Sequence, residues 1–323
     1  MSNLLINKYE PKYLKDFNYE RDYNEYINNI SNNTNLNILL VGNMGSGKTV
    51  LIDSILHNYY GIENIKRIKN NILYISSLKE QGISFYKNDV KSFCQSTSEL
   101  YNKKKSIIID NLDGLSDINQ NIFKIHMDTY SKKVNFICSC TNLNKISSVI
   151  LNHFLVIKIK PIDKDQLKYI INKICDNEGY NISQELRDNI IKYSNYSIKL
   201  LINNLEKYRL LYDKVNYSVD NINNNILVRD LQEYYDYCLK KDRENAYKKI
   251  LSIYEDGYST IDIIEYMYTN LKLNEDFDIN YKHKIIKILS KYLLTINNIN
   301  EDELIIYYIT NDIIDIIETI DTI

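Results

Sequence analysis

The stretch Gly42 to Thr49 reads GNMGSGKT, a complete match to G-x-x-x-x-G-K-[ST]. It lies between the apolar run NILLV (Asn37 to Val41) and a helical run beginning TVLIDSIL, the strand–loop–helix setting such a loop needs. Gly42, Gly45 and Gly47 let the backbone turn so that successive N–H groups face a phosphate, with Asn43, Met44 and Ser46 completing the cradle. Lys48 is spaced to reach the β- and γ-phosphate oxygens, and Thr49 to ligate Mg²⁺. Further on, SIIIDNLDG (Ser106 to Gly114) has the form of a buried strand ending in Asp110, where a second Mg²⁺ contact belongs. The next residue is Asn111, whose amide can orient a water but cannot take its proton. The residues therefore predict a site that holds ATP or ADP with Mg²⁺ and whose own hydrolysis is weak or absent.

The elements that must position this loop are legible as periodicity. NILLV, ILYIS (Ile72 to Ser76), SIIID (Ser106 to Asp110), VNFICSC (Val134 to Cys140) and FLVIKI (Phe154 to Ile159) read as strands separated by helix-length segments. That alternation predicts an α/β parallel sheet covered on both faces. After Pro161 the strand signals stop. Asp163 caps a helical pattern carrying Leu167, Ile170, Ile171 and Ile174 and closed by Gly179, and two more helical segments follow, making a three-helix unit. The Asn-rich stretch Tyr217 to Ile226 reads as a linker, and about five amphipathic helices follow it. The expected division is a nucleotide-binding domain over 1–160, a helical domain over 161–220 and a second helical domain over 221–323.

Bulk properties narrow the class. The chain has 323 residues, 44% hydrophobic and 25% charged, with a net charge of −2, so any nucleic-acid contact must come from a local patch. No membrane segment or signal peptide is apparent, and an intracellular protein is expected. The five cysteines show no C-x-x-C pair and are read as buried thiols, Cys138 and Cys140 on one face of a strand. The four histidines (His57, His126, His153, His283) have no metal spacing. The 30 tyrosines accompany abundant Asn, Ile and Lys, all with AT-rich codons, and receive no functional reading.

Taken in order, these segments resemble the small subunits of the clamp loader replication factor C, within the AAA+ ATPases. NKYEPKYLKDF is similar to the family's E-K-Y-R-P-x-x-L-x-D, LVGNMGSGKT to L-[FL]-x-G-P-P-G-x-G-K-T, and ISSLKEQGISFYKNDVKSF to N-A-S-D-x-R-G-I-D-x-V-R-x-x-I-K-x-F. The long stretch from IIIDNLDGLSDINQ to CTNLNKI follows the family's I-L-D-E-A-D box through its fourth strand, and GYSTIDIIEYM is similar to part of its helical collar. The resemblance implies an AAA+ domain, a lid and a collar, and membership of a five-subunit ring. Such a ring uses ATP to open a sliding clamp and close it around primer-template DNA.

The departures from the family pattern fall on catalysis. The acid of D-E-A-D lands on Asn111 and the trans-acting arginine finger of S-R-C on His153. The lid arginine lands on Lys199, which keeps the charge without the fork; the arginine of K-Y-R-P on Glu10; and the sensing asparagine on Thr141. The resemblance assigns nucleotide contact to Thr141 and Lys199, and template-phosphate contact to Ser116, Gln120, Lys124 and Lys87, with the family's second arginine replaced by Ile125. It implies clamp contact around Ile83, Phe85 and Tyr86, residues that would serve equally as core. It leaves open the ring position, and whether the compartment is a nucleus or a viral replication factory. Two other classes stand beside it: a stand-alone or initiator-type AAA+ ATPase, and a purely structural ring member that binds no nucleotide.

Overall fold

The computed structural model describes residues 4–17, 21–33, 35–61, 68, 70–76, 82–180, 182–194, 196–211, 228–273, 278–296 and 303–321. These fall into two compact units, Met1–Arg209 and Leu210–Ile323.

All five expected strands are present: β1 (Ile38–Val41), β2 (Ile72–Ser76), β3 (Lys105–Asp110), β4 (Val134–Cys140) and β5 (Leu155–Lys158). They form one sheet of order β2-β3-β4-β1-β5, and every pair is parallel. Parallel neighbours need crossovers, and the chain supplies helices for them. α1 (Leu5–Lys8) and α2 (Arg21–Ser31) precede β1, and the helices between strands are α3 (Lys48–Tyr60), α4 (Val90–Gln95), α5 (Asp117–Tyr130) and α6 (Ser148–Leu151).

Alternation along the strands divides the core in two. Ile38, Leu40, Ile108, Ile137 and Ile157 pack with Leu51, Ile52, Ile55 and Leu56 of α3. Leu39, Ile107, Ile109, Phe136, Cys138 and Cys140 pack with Val90 and Cys94 of α4 and with Phe123 and Met127 of α5. Each such aliphatic side chain stabilises the sheet by about 1.5–3 kcal/mol on burial. Cys138 and Cys140 share a face as their spacing predicts, and all five thiols are buried and unpaired. Burial pushes Cys140 up to about 11 and Cys94 and Cys238 up to about 12, which leaves them as inert core groups.

The first unit continues with α7 (Lys164–Glu178), α8 (Gln184–Tyr193) and α9 (Ile198–Leu211). Asp163 opens α7 with a capping box: its carboxylate accepts from the Gln166 N–H at 2.7 Å while its own N–H donates to Gln166 Oε1 at 3.2 Å. Gly179 closes the helix at φ 72°, where a residue without Cβ is favoured. The N-terminal segment is tied to this helical layer. Lys8 Nζ and the Tyr9 hydroxyl both donate to Glu178 Oε1 at 2.6 Å, and the Leu5 N–H donates to Glu206 Oε2 at 2.7 Å.

The second unit consists, among the described residues, of α10 (Val228–Leu239), α11 (Arg243–Glu255), α12 (Thr260–Leu273), α13 (Ile279–Ile296) and α14 (Glu303–Asp321). Its core gathers Leu231, Tyr234, Ile250, Ile264, Leu289 and Ile313. Its two buried tyrosines have their hydroxyls satisfied, Tyr234 with Thr310 Oγ1 at 3.0 Å and Tyr235 on the Met267 carbonyl at 3.2 Å. The linker expected at Tyr217 to Ile226 lies outside the described residues. Among the described residues no helix is long and apolar enough to cross a membrane.

Replacing Asp163 by Ala removes the carboxylate arm of the capping box and is expected to destabilise the first unit by about 1 kcal/mol. Urea unfolding followed by circular dichroism checks this; an unchanged midpoint would mean that tertiary packing alone holds the start of α7.

Candidate functional site

The phosphate loop leaves the C-terminal end of β1 and runs directly into α3, with β4 on one side of β1 and β5 on the other. In an open parallel sheet this end, where consecutive connections part, is where ligands bind. Gly45 and Gly47 hold φ of 73° and 87°, a region that costs a residue with Cβ roughly 1–2 kcal/mol. Space is limiting as well. A Cβ on Gly45 would meet Ser197 Oγ, just before α9, at 2.2 Å, so the loop and the start of α9 are in direct apposition. Lys48 is only 7% exposed and donates to the carbonyls of Gly42 (2.8 Å) and Asn43 (2.9 Å). Burial pulls its ammonium below the usual lysine value, against the opposing pull of Asp110, Cys140 and Asp113.

Beneath the loop lies a layer of short polar contacts. Thr49 Oγ1 donates to Asp110 Oδ2 at 3.1 Å, which brings together the two residues assigned to Mg²⁺. Ser139 of β4 bonds the other oxygen of Asp110 and accepts the Asn111 N–H at 3.0 Å. Asn111 sits at φ 60°, a left-handed position that Asn tolerates better than most residues. Asp113 accepts from the Thr141 hydroxyl (2.6 Å), the Thr141 N–H (3.1 Å) and the Asn142 N–H (2.9 Å). Burial alone would raise its carboxyl, but these donors outweigh it and hold the group below the usual carboxylate range.

ATP and Mg²⁺ fit these residues. The two left-handed glycines shape a cradle that side chains would fill, Ser46 Oγ is buried without a partner at its rim, and Thr49 and Asp110 present the oxygen donors that a hard cation takes. Ser139 and Ser197 carry no motif signal, whereas Asp113 is the last residue of the DNLD run.

The other expected positions separate. Lys199 is exposed in the first turn of α9, two residues after Ser197. Thr141 lies at the end of β4, its hydroxyl proton committed to Asp113 rather than to a ligand. Glu10 is exposed, next to the Tyr9 that is tied to α7. His153 is half-buried, its Nε2 3.3 Å from Asp128 Oδ1; the other Asp128 oxygen lies 3.3 Å from Lys124 Nζ. Ser116 caps α5, accepting from the Asn119 N–H, and Lys87 is exposed on the π-helical turn Phe85–Asp89.

Gln120 departs from the expected phosphate contact. It is 1% exposed, donates to the Leu115 and Lys145 carbonyls (3.1 and 3.0 Å) and accepts from the Ser147 N–H at 3.0 Å. Its amide is spent on bracing α5 against the loop after β4, so the cradle is reduced to Ser116 and Lys124, with Ile125 exposed beside them. Of the expected clamp-contact residues, Tyr86 belongs to the core, Phe85 packs partly against it, and Ile83 is exposed. Among the described residues no group of His, Cys, Asp and Glu forms a further metal site.

The apposition of loop and α9 can be tested by pairing substitutions. Gly45→Ala is expected to weaken nucleotide binding at least about tenfold, a change of roughly 1.4 kcal/mol. Adding Ser197→Gly, which removes the colliding atoms, should recover part of that loss in a fluorescent-ATP titration. No recovery would mean that the left-handed φ alone governs the position.

Residues 38–161 match the family of ATPases associated with various cellular activities (AAA), and residues 226–298 match the replication factor C C-terminal domain. Replication factor C subunit 4 of Arabidopsis thaliana is 23% identical over 299 residues, covering 88% of this chain and 87% of the plant protein. The replication factor C small subunit of Picrophilus torridus is 25% identical over 306 residues, 94% of each chain. Among solved structures, a DNA polymerase III gamma subunit-related protein of Thermotoga maritima superposes with a TM-score of 0.53 at 12% identity, covering 90% of this chain and 98% of that one, a likeness of fold. The chain thus carries an AAA domain and a replication factor C C-terminal domain, and it is similar over most of its length to replication factor C subunits.

Proposed function

We propose that this chain is one subunit of a hetero-pentameric clamp loader, binding ATP with Mg²⁺ and contacting a sliding clamp and the backbone of primer-template DNA, while hydrolysing its own ATP slowly or not at all. In this reading 1–160 is the nucleotide-binding domain, 161–220 the lid and 221–323 the collar that joins it to its siblings. The observation that carries the reading is the intact Thr49–Asp110 pair under a complete phosphate loop, followed directly by Asn111.

Each residue has a defined part. The loop N–H groups and the start of α3 bind the phosphates, and Lys48, released from the Gly42 and Asn43 carbonyls, turns to their oxygens. Thr49 and Asp110 would hold Mg²⁺, which would supply neutralisation of phosphate charge. Asn111 can hold a water but cannot remove its proton. The nearest other carboxylate in this turn, Asp113, is committed to three donors and held below its usual range, which makes it a poor base. His153, where a finger would reach a neighbour's nucleotide, offers an imidazole paired with Asp128 in place of a guanidinium. A subunit with no base of its own and no finger suits the place beside the ring's gap, where no neighbouring ATP needs firing. Its workplace would be wherever DNA is replicated, a nucleus or a viral factory.

DNA contact rests on Ser116, Lys124 and Lys87. The Lys124–Asp128 pair is solvent-exposed and worth less than about 1 kcal/mol, so Lys124 can exchange it for a phosphate at little cost. Affinity of the assembled complex for primer-template should fall steeply with salt. Lys124→Ala and Lys87→Ala should each reduce the log–log slope by about one. A slope that neither substitution changes would remove both residues from the interface.

The deciding experiment is a native pull-down of the full chain with mass spectrometry, together with ATP binding and turnover by the isolated chain. The expected results are several AAA siblings, a clamp recovered when ATP is added, ATP binding lost in Lys48→Ala, and turnover at background. Recovery as a lone chain would overturn the ring reading. Robust turnover abolished by Lys48→Ala would overturn the slow-hydrolysis reading. No nucleotide binding at all would leave a structural ring member.

A further inference from the structure

We infer that Ser139 is a positioning residue for the metal-binding carboxylate, setting which oxygen of Asp110 is presented to Mg²⁺. This rests on the reading above that Asp110 and Thr49 hold the cation.

The bonding around Ser139 leaves its proton one destination. A serine hydroxyl has one proton to donate and two lone pairs to accept with. The Asn111 N–H, 3.0 Å away, can only donate, so the hydroxyl accepts from it. The Asp110 carboxylate can only accept, so the single Ser139 proton goes to Oδ1. Oδ2 is then the oxygen left on the Thr49 side, 3.1 Å from Thr49 Oγ1. Ser139 is fully buried in β4, in register with Leu40 of β1, and β4 is the strand between the one that carries the phosphate loop and the one that carries Asp110. It is therefore held between the strand that feeds the phosphate loop and the strand that ends in Asp110.

Two consequences follow from the same hydroxyl. It stops the Asp110 carboxylate rotating about its last bond, so the oxygen facing Thr49 needs no reordering when a cation arrives. It also ties the Asn111 peptide, held at φ 60°, to the orientation of the carboxylate before it. Partners that orient a metal ligand typically govern 10–100-fold in metal affinity. Ser139 touches neither cation nor phosphate in this arrangement, and its effect should appear only when the cation is present.

The test uses the full chain and a fluorescent ATP analogue, titrated in Mg²⁺ and again in EDTA, with wild type, Ser139→Ala, Asp110→Asn and the double variant. Ser139→Ala changes volume little in a buried strand, and a melting curve confirms its fold. It is expected to weaken binding about tenfold in Mg²⁺ and to leave affinity in EDTA unchanged. In the Asp110→Asn background it should add no further loss, because the oxygen it orients is no longer a ligand. Equal affinity of wild type and Ser139→Ala in Mg²⁺ would overturn the inference, as would an equal loss in EDTA, which would mark a packing effect. Wild type that binds the analogue equally well with and without Mg²⁺ would overturn the prior reading of Asp110 and Thr49, and this inference with it.

Discussion

The parallel placement of β4 between β1 and β3 is the constraint on which the rest of the site depends. It separates the strand that feeds the phosphate loop from the strand that ends in Asp110 by one strand's width, and α3 then returns Thr49 across that gap to within 3.1 Å. The intervening strand cannot be polar along its length, because both its faces are buried. It carries polarity only where the two neighbours need it, with Ser139 beneath the loop and Asn135 at the other end, where its Oδ1 accepts the Leu36 N–H. The chemistry at the sheet's C-terminal edge is thus a product of strand order as much as of the motif residues.

Charge in this region is balanced within a small volume. Lys48 is driven towards neutrality by burial and kept charged by the nearby carboxylates of Asp110 and Asp113. Asp113 is in turn held ionised by the end of β4 through Thr141 and Asn142. The carboxylates that remain are therefore engaged in holding geometry and countering the lysine. An arrangement of this kind favours grip and orientation over proton transfer, which requires an uncommitted acceptor positioned on the water.

Much of this was legible in the residues because it is decided locally. Strand periodicity located all five strands within a residue or two, the glycines of the loop announced their positive φ, and Asp163 with Gln166 and Gly179 announced where a helix begins and ends. Contacts between distant segments could not be read that way. Ser139 lies in a run whose alternation says only that it is buried, and its partners are 28 and 29 residues away. Ser197 matters because α9 starts against Gly45, a fact of packing. Gln120 is a similar case: its place in the helix suits a phosphate contact, while its bonds to Lys145 and Ser147 are visible only in three dimensions.

The bonds from Lys8 and Tyr9 to Glu178, and from Leu5 to Glu206, carry a mechanical meaning. They moor the first residues of the chain to α7 and α9, the same helical layer whose leading edge meets the phosphate loop at Ser197. The N-terminal segment is thus strapped across two helices of the layer, one of which begins against the loop.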